Sequence, residues 1–565
     1  MFPIEIQKVK ADVVVVGGGG AACRAALSAR QAGASVRLVT KAPLRAGGST
    51  VHGASEIMSM GAAGFGDSAD SPDVHFEDTM RAGRGFIDPV LVRALTEDAP
   101  QRIRDLVALG VPFDHVDHEH YKLIRSDFGS YARTLGVAGK TGKAFVAALA
   151  DELMRLGVAV DERTALVDLI RDREGAISGV LAYDAEQESL IQYEAPCVIL
   201  GTGGMHGAFE QQVSTAEMTG DGQAICFRHG AEMVNLEFHQ FGPALIHPYV
   251  QLFSGSCFRL HPQLINAEGN EFLTQYVPRD VPLAEVYDRK VFPFTTTNVS
   301  RYIEIAMARE IAAGRGTPRG AVYLSFAHVA PERIEAVMPN TARWMHEHGL
   351  DARHDRLEAG IAFQCMNGGV RMIDATAQST IPGLYVIGEL AGGVRGPDRP
   401  GGNSLAEGQV FGHRSGLAAA QRARQERAGQ AHTLDETMDF LATVLQREGE
   451  ALNMSALARD VRRAMQRHCL VEKSAAGLNE ALSLVRSVKG ELERKLALKT
   501  QRLLEGLNLR NLVQAAELVL LACLNREETR SSHYRLDFPE KDDRYAVSFV
   551  MRRDGDAVAT STHRY

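Results

Sequence analysis

Four consecutive glycines, Gly17-Gly18-Gly19-Gly20, follow the run Val13–Val16 and precede an alanine-rich stretch reaching Gly33. A short β-branched run bounded by glycine reads as a strand buried on both faces, and the stretch after it reads as a helix. Gly17, Gly19 and Ala22 then stand at the fingerprint positions of a dinucleotide-binding turn. Gly17 permits the tight turn, Gly19 lets backbone approach a pyrophosphate, and Ala22 lets the helix pack close to the strand. The helix N-terminus faces the phosphates. A second strand, predicted over Ser35–Thr40, ends in Thr40-Lys41 with no acid to grip a ribose, which favours FAD over NAD.

Three more glycine turns repeat the theme. Gly201-Thr202-Gly203-Gly204 follows a strand at 197–200. Thr219-Gly220-Asp221-Gly222 opens a helix. A strand at 383–388 is followed by Glu389, and Gly401-Gly402-Asn403-Ser404-Leu405 then opens another helix. Several strand-to-glycine junctions in one chain point to one extended cofactor touched at several places.

The elements that must carry these turns belong to a chain of 565 residues, enough for three or four domains. Hydrophobic residues are 45% and charged residues 23%, an ordinary globular balance. A net charge of −8 offers no broad basic field, so no nucleic-acid partner is expected. No uninterrupted apolar run is long enough to span a bilayer, and no signal peptide is visible, so no direct membrane span is expected. The seven cysteines include no Cys-x-x-Cys pair, which argues against a zinc ribbon, an iron–sulfur cluster or a disulfide framework. The expected compartment is the reducing cytoplasm, with attachment to the inner face of a membrane only through a partner. From about 430 to 525 glycine is rare and apolar residues recur at helical spacing, as in packed helices.

VVVVGGGGAACRAAL, TGDG, LINAEGNEFL, GLYVIGELAGG, RPGGNSLAEGQVFG and ETRSSHYRLDFPEKDD together resemble the flavoprotein subunits of the succinate dehydrogenase and fumarate reductase family, which includes L-aspartate oxidase, with adenylylsulfate reductase more distant. The resemblance covers nearly the whole chain and accounts for the Thr-Lys after the second strand. It implies that Gly17, Gly19, Gly20 and Ala21 cradle the pyrophosphate and that Lys41 lies near the adenosine end. Gly48 and Ser49 join the cofactor contacts. Asp221 would lie near the diphosphate and ribose, and Glu389 would hold the flavin's sugar-chain hydroxyls. Asn403, Ser404 and Leu405 would meet the flavin at a helix N-terminus that favours an electron-rich ring.

The family pattern also breaks. Some members attach FAD to a histidine in a Ser-His-Thr context. The corresponding stretch is Arg45-Ala-Gly-Gly-Ser-Thr50, with His52 out of register, so non-covalent FAD is expected. The resemblance implies that Arg399 binds a carboxylate, for which an arginine fork is suited. The family's two substrate histidines are replaced by Gly242 and Gln364. Gly242 removes volume and Gln364 is neutral, so the expected substrate is a small organic acid whose second end is larger or less charged than that of fumarate. His239, His247 and His261 are nearby in sequence. The family's proton-donating arginine falls at Ile305; Arg301 is taken as its substitute, with Arg309 one turn beyond.

The expected fold is α/β: a Rossmann-like FAD domain from 1–235 and 355–425, an inserted α+β capping domain at 236–354, a helical domain at 426–540 and a tail at 541–565. The expected activity is FAD-dependent hydride transfer at a carbon–carbon bond beside a carboxylate, with Arg301, Arg399 and Gln364 as catalytic residues, the Gln364 and Asn367 amides orienting the acid, and no metal. An adenylylsulfate-reductase-like enzyme with a different acceptor, and an FAD electron-transfer subunit without dicarboxylate activity, are the alternatives. A separate iron–sulfur subunit is the expected partner, because the helical C-terminal part, including Arg530, His533, Arg535 and Asp537, resembles that of the family.

Overall fold

A computed structural model describes residues 4–449 and 452–565. Val13–Val16 forms the centre of a five-stranded parallel sheet ordered Leu384–Val386, Cys197–Leu200, Val13–Val16, Val36–Val39, Ala159–Asp161. All four valines are buried, which is why the run shows no alternation. Val13 pairs with Cys197 and Val16 with Leu200, so the turns at Gly17 and Gly201 leave the sheet side by side. At Gly17, φ is +128°, and a Cβ there would lie 2.3 Å from the Gly201 carbonyl oxygen. No other residue type fits that turn. A second sheet, ordered Ile6–Lys10, Ser189–Glu194, Ile177–Asp184, Thr164–Arg171, completes the first lobe.

The helix Gly20–Gln31 packs along the helix Asn403–Gln425. Glycines make the approach close. A Cβ on Gly412 would lie 2.6 Å from the Ala21 carbonyl oxygen, and one on Gly416 would lie 2.4 Å from that of Ala25. Gly408, Gly412 and Gly416 recur every four residues and so share one face. This seam joins the first and last glycine turns although they lie some 380 residues apart in sequence.

The middle of the chain forms an antiparallel sheet ordered Gln251–Leu252, His239–Leu245, Leu357–Met366, Val322–Ser325, Gln263–Ile265. Leu357–Met366, grouped with 355–425 in the sequence reading, is bonded on both edges to strands from 236–354. The pairing of His239–Leu245 with this strand is bulged between Gln240 and Phe241, where Gln364 is the extra residue. The helix Arg301–Ala312 packs on the same strand.

Four long helices follow, Leu434–Gln446, Met454–His468, Ala475–Lys495 and Leu503–Asn525. The stretch Thr500–Asn525 is long and apolar enough to cross a membrane by composition, which a search for uninterrupted apolar runs misses. Its apolar window is 72% buried within the protein, so this apolarity is spent on internal packing. Residues 541–565, expected as a tail, contain the hairpin Ser548–Asp554 and Ala557–His563, which joins a five-stranded sheet through Met233–Val234. All seven cysteines are free and buried. Among the described residues no group of His, Cys, Asp and Glu could hold a metal.

Candidate active site

One cavity joins the glycine turns and runs under the antiparallel sheet. Gly17, Gly19, Gly20, Ala21, Lys41, Gly48, Ser49, Asp221, Glu389, Ser404 and Leu405 all line it, together with Gln364 and Arg399. Two helix N-termini open into it, Gly20–Gln31 and Asn403–Gln425. The first turn of a helix leaves N–H groups without intrahelical partners, so both ends present donors to an anion or an electron-rich ring.

At one end the Lys41 ammonium is held by Asp221 Oδ2 at 2.8 Å, Thr219 Oγ1 at 3.0 Å and the Glu217 carbonyl at 2.8 Å. Asn511, from the C-terminal helices, donates to Asp221 Oδ1 at 2.9 Å. Asp221 is the first residue of its helix, with Gly220 in the capping position, so it is not the cap. The pair fixes the turn rather than presenting free charges. Midway along the cavity, Glu389 accepts the Met366 N–H at 3.0 Å, and Ser49 Oγ lies 3.5 Å from its other oxygen. A Cβ on Gly204 would overlap the Glu389 carboxylate at 2.2 Å, which explains the glycine there. Thr202 Oγ1, Gln364 Oε1 and Ser404 Oγ are buried beside the cavity without hydrogen-bond partners. A long cavity with orphaned polar atoms, close backbone and two helix N-termini fits a dinucleotide with a polar chain between its ends.

Residues 12–405 match the family described as FAD binding domain, and residues 458–562 match the fumarate reductase flavoprotein C-term. The chain belongs to the succinate dehydrogenase and fumarate reductase flavoprotein family. It is 33% identical over 547 residues to L-aspartate oxidase of Caulobacter vibrioides, covering 95% of each chain. It is 32% identical over 561 residues to a subunit of the fumarate reductase (CoM/CoB) of Methanothermobacter marburgensis, covering 97% of this chain and 98% of the relative. The structure of Mycobacterium smegmatis Sdh1 in complex with UQ1 superposes with a TM-score of 0.84 at 28% identity, over 99% of this chain and 95% of that one. A quinol–fumarate reductase with menaquinol molecules shares the fold at a TM-score of 0.85 and 24% identity, over 98% of each chain. This member of the flavoprotein family is an FAD-dependent oxidoreductase.

The structure brings Arg399 and Gln364 into the cavity but not the other substrate-side candidates of the flavoprotein-family reading. Arg301 begins its helix, and its guanidinium turns back to the Thr296 carbonyl at 2.7 Å. Arg309 makes a two-pronged ion pair with Glu472, and Ile305 is core. Neither arginine lines the cavity. Asn403 points away from it, accepting from His75 Nε2 at 2.8 Å and donating to Thr79 at 3.0 Å. Asn367 donates to the Gly396 carbonyl at 2.7 Å and is fully buried. Both therefore hold the scaffold.

The nearby histidines supply no cavity charge. His239 Nε2 donates to the Cys469 carbonyl at 2.6 Å, and burial, reinforced by Lys473, pulls its pKa down to about 3. His247 is exposed and His261 pairs with Asp288. Gly242 does not enlarge the pocket as expected. A Cβ there would lie 2.3 Å from the Phe292 ring, so Phe292 occupies the space.

Sequence reasoning missed Asp127, Phe292, Arg395, Gln240 and Glu407. Asp127 lines the cavity and accepts the Phe292 N–H at 3.1 Å, and burial raises its carboxyl above the usual range. Arg395 also lines the cavity, but its guanidinium serves the Met366, Gly388 and Ala391 carbonyls and lies 2.9 Å from Glu407. Arg399 donates twice to Gln240 Oε1, at 2.8 and 3.1 Å, and once to the Pro400 carbonyl at 3.0 Å. No spacing signal marks these residues, because four different segments bring them together.

Proposed function

We propose that this flavoprotein exchanges a hydride with a carbon–carbon bond beside a carboxylate, and that Arg399 holds that carboxylate. One observation carries the reading. Eight arginines are buried among the described residues. Seven have a carboxylate oxygen within 4.0 Å: Arg24 and Arg102 share Asp105, Arg133 has Asp70 and Asp78, Arg395 has Glu407, Arg526 has Glu237, Arg530 has Glu528, and Arg535 has Asp537. The eighth, Arg399, has only the neutral oxygens of Gln240 and Pro400. A buried cation without an anion is costly unless a ligand completes it.

FAD, when bound, supplies the two-electron chemistry, taking a hydride from one carbon or returning it. Gly19, Gly20 and Ala21 would present backbone to its pyrophosphate, and Glu389 would accept from its sugar-chain hydroxyls. Ser404 and Leu405 would offer N–H groups to the flavin from their helix N-terminus. Arg399 orients the acid, and the partnerless side-chain oxygen Gln364 Oε1 accepts from a donor beside it. Asp127 is the cavity group suited to hold the proton exchanged at the neighbouring carbon, because burial keeps its carboxyl easier to protonate. Stopped-flow mixing of the reduced holoenzyme with a panel of unsaturated acids tests the reading. Arg399-dependent reoxidation supports it, and indifference to every acid refutes it.

The reading extends to a separate iron–sulfur protein that serves as electron partner. Relatives named as subunits support it, as does the match of 458–562 to the fumarate reductase C-terminal model. Arg530, His533 and Arg535 are buried and bonded within the chain, so they support the fold beneath such a surface rather than forming it. Anaerobic co-purification of an iron–sulfur protein with the tagged chain is the expected outcome.

A further inference from the structure

The substrate end of the cavity is chemically lopsided. Arg399 lines it with its charge unmatched. Val213, Leu252, Phe292 and Pro293 line the same cavity, and the first three of these cluster with Ala244 and Ala362. Position 242 adds nothing polar, because any side chain there would run into the Phe292 ring. Of the other charged groups near this end, Arg395 is committed to Glu407 and three carbonyls, and Asp127 is an acid. His239 faces the Cys469 carbonyl on the far side of its strand.

We propose that the substrate is a monocarboxylic acid with an apolar second end, one carboxylate meeting Arg399 and a hydrocarbon or aromatic tail lying against Phe292, Leu252 and Val213. The assignment rests on the reading that Arg399 holds the substrate's carboxylate. A dicarboxylate would bring its second charge against apolar residues and the Asp127 carboxyl; the cations that act on Asp127 are Lys290, already paired with Glu304, and the exposed Arg259, and neither lines the cavity. A tail there instead leaves water for an apolar surface, which is favourable. In the reductive direction the C=C bond of such an acid takes up one hydride from reduced FAD and one proton and becomes a single bond, leaving oxidised FAD.

The test is a titration of oxidised holoenzyme with crotonate, trans-2-hexenoate, cinnamate and fumarate, read from the flavin absorbance shift. Hexenoate or cinnamate is expected to bind at least about ten-fold tighter than fumarate. Phe292→Ser should reduce that preference, and Leu252→Lys should turn it towards fumarate, while Arg399→Met should abolish the response to every acid. Fumarate binding as tightly as hexenoate and cinnamate, with Arg399→Met still abolishing binding, overturns the substrate class and leaves the carboxylate site standing. If no acid perturbs the flavin, or if Arg399→Met changes nothing, the carboxylate reading falls and the class with it.

Discussion

Replacing Arg399 by methionine should move stability and binding in opposite directions. In the substrate-free protein the guanidinium is buried against neutral oxygens only, and burial pulls its pKa below the ordinary arginine value. Methionine keeps much of the length and removes the charge. Lost hydrogen bonds cost about 1–3 kcal/mol. Gln240 Oε1 retains the Cys365 thiol at 3.3 Å as a donor. Relief of an unpaired buried charge returns several kcal/mol. The melting temperature of the substrate-free holoenzyme is therefore expected not to fall. Binding loses a carboxylate–guanidinium attraction of about 4 kcal/mol at ~4 Å and an effective dielectric near 20, or roughly 10³-fold in Kd. Calorimetry on the holoenzyme gives the first quantity, and the flavin absorbance titration gives the second. A melting point lowered by several degrees with acid affinity unchanged would show that Arg399 is structural and refute the reasoning.

Three further outcomes follow from the same geometry. The FAD is expected to be non-covalent: His52 is tied to the Ala46 carbonyl at 2.6 Å, and acid precipitation should leave the flavin in the supernatant rather than on the protein. Buried neutral His239 and His75, with pKa values lowered to about 3 and about 4, contribute stability that is fully present above the unfolded value of 6.5 and lost as pH falls towards their folded values. The two effects amount to about 5 and 3 kcal/mol. The melting temperature should drop steadily below pH 6.5 and less steeply in His239→Gln, whereas a flat profile would contradict the assignment. Asp127→Asn should lower the rate of flavin reoxidation by an accepted acid about 10²-fold or more while leaving that acid's Kd within a few-fold, and an unchanged rate would remove Asp127 from the proton path.

The cofactor half of the site was legible because its signals are local. Val13–Val16, Gly17 and Gly201 carry strand, turn and close approach within a few residues, and Lys41 and Asp221 stand beside such turns. The substrate half was not, because its residues meet only through packing. Phe292 reaches Gly242 across 50 positions, and Asp127 reaches Phe292 across 165. Arg301 misled because Asn298, which could have capped a helix there, does not: its side chain takes the Ser300 N–H at 2.9 Å, Ser300 stands in the capping position, and Arg301, first in the helix, faces back to Thr296. Asn403 misled because a residue at a cofactor-facing helix start can send its side chain the other way.

The hairpin of Ser548–Asp554 and Ala557–His563 has a consequence for biosynthesis. Met233 and Val234 pair on one side with Val370 and Gly369 and on the other with Met551 and Val550. A nascent chain therefore displays the first three strands of this sheet long before the hairpin exists, and the whole stretch from Gly392 to Ser548 must be made before the sheet can close. Non-local closure of this kind folds slowly and leaves an unpaired edge open to other chains meanwhile. Removing residues 548–565 would make that temporary state permanent, so their loss, far from the cavity in sequence, should drive the protein towards aggregation.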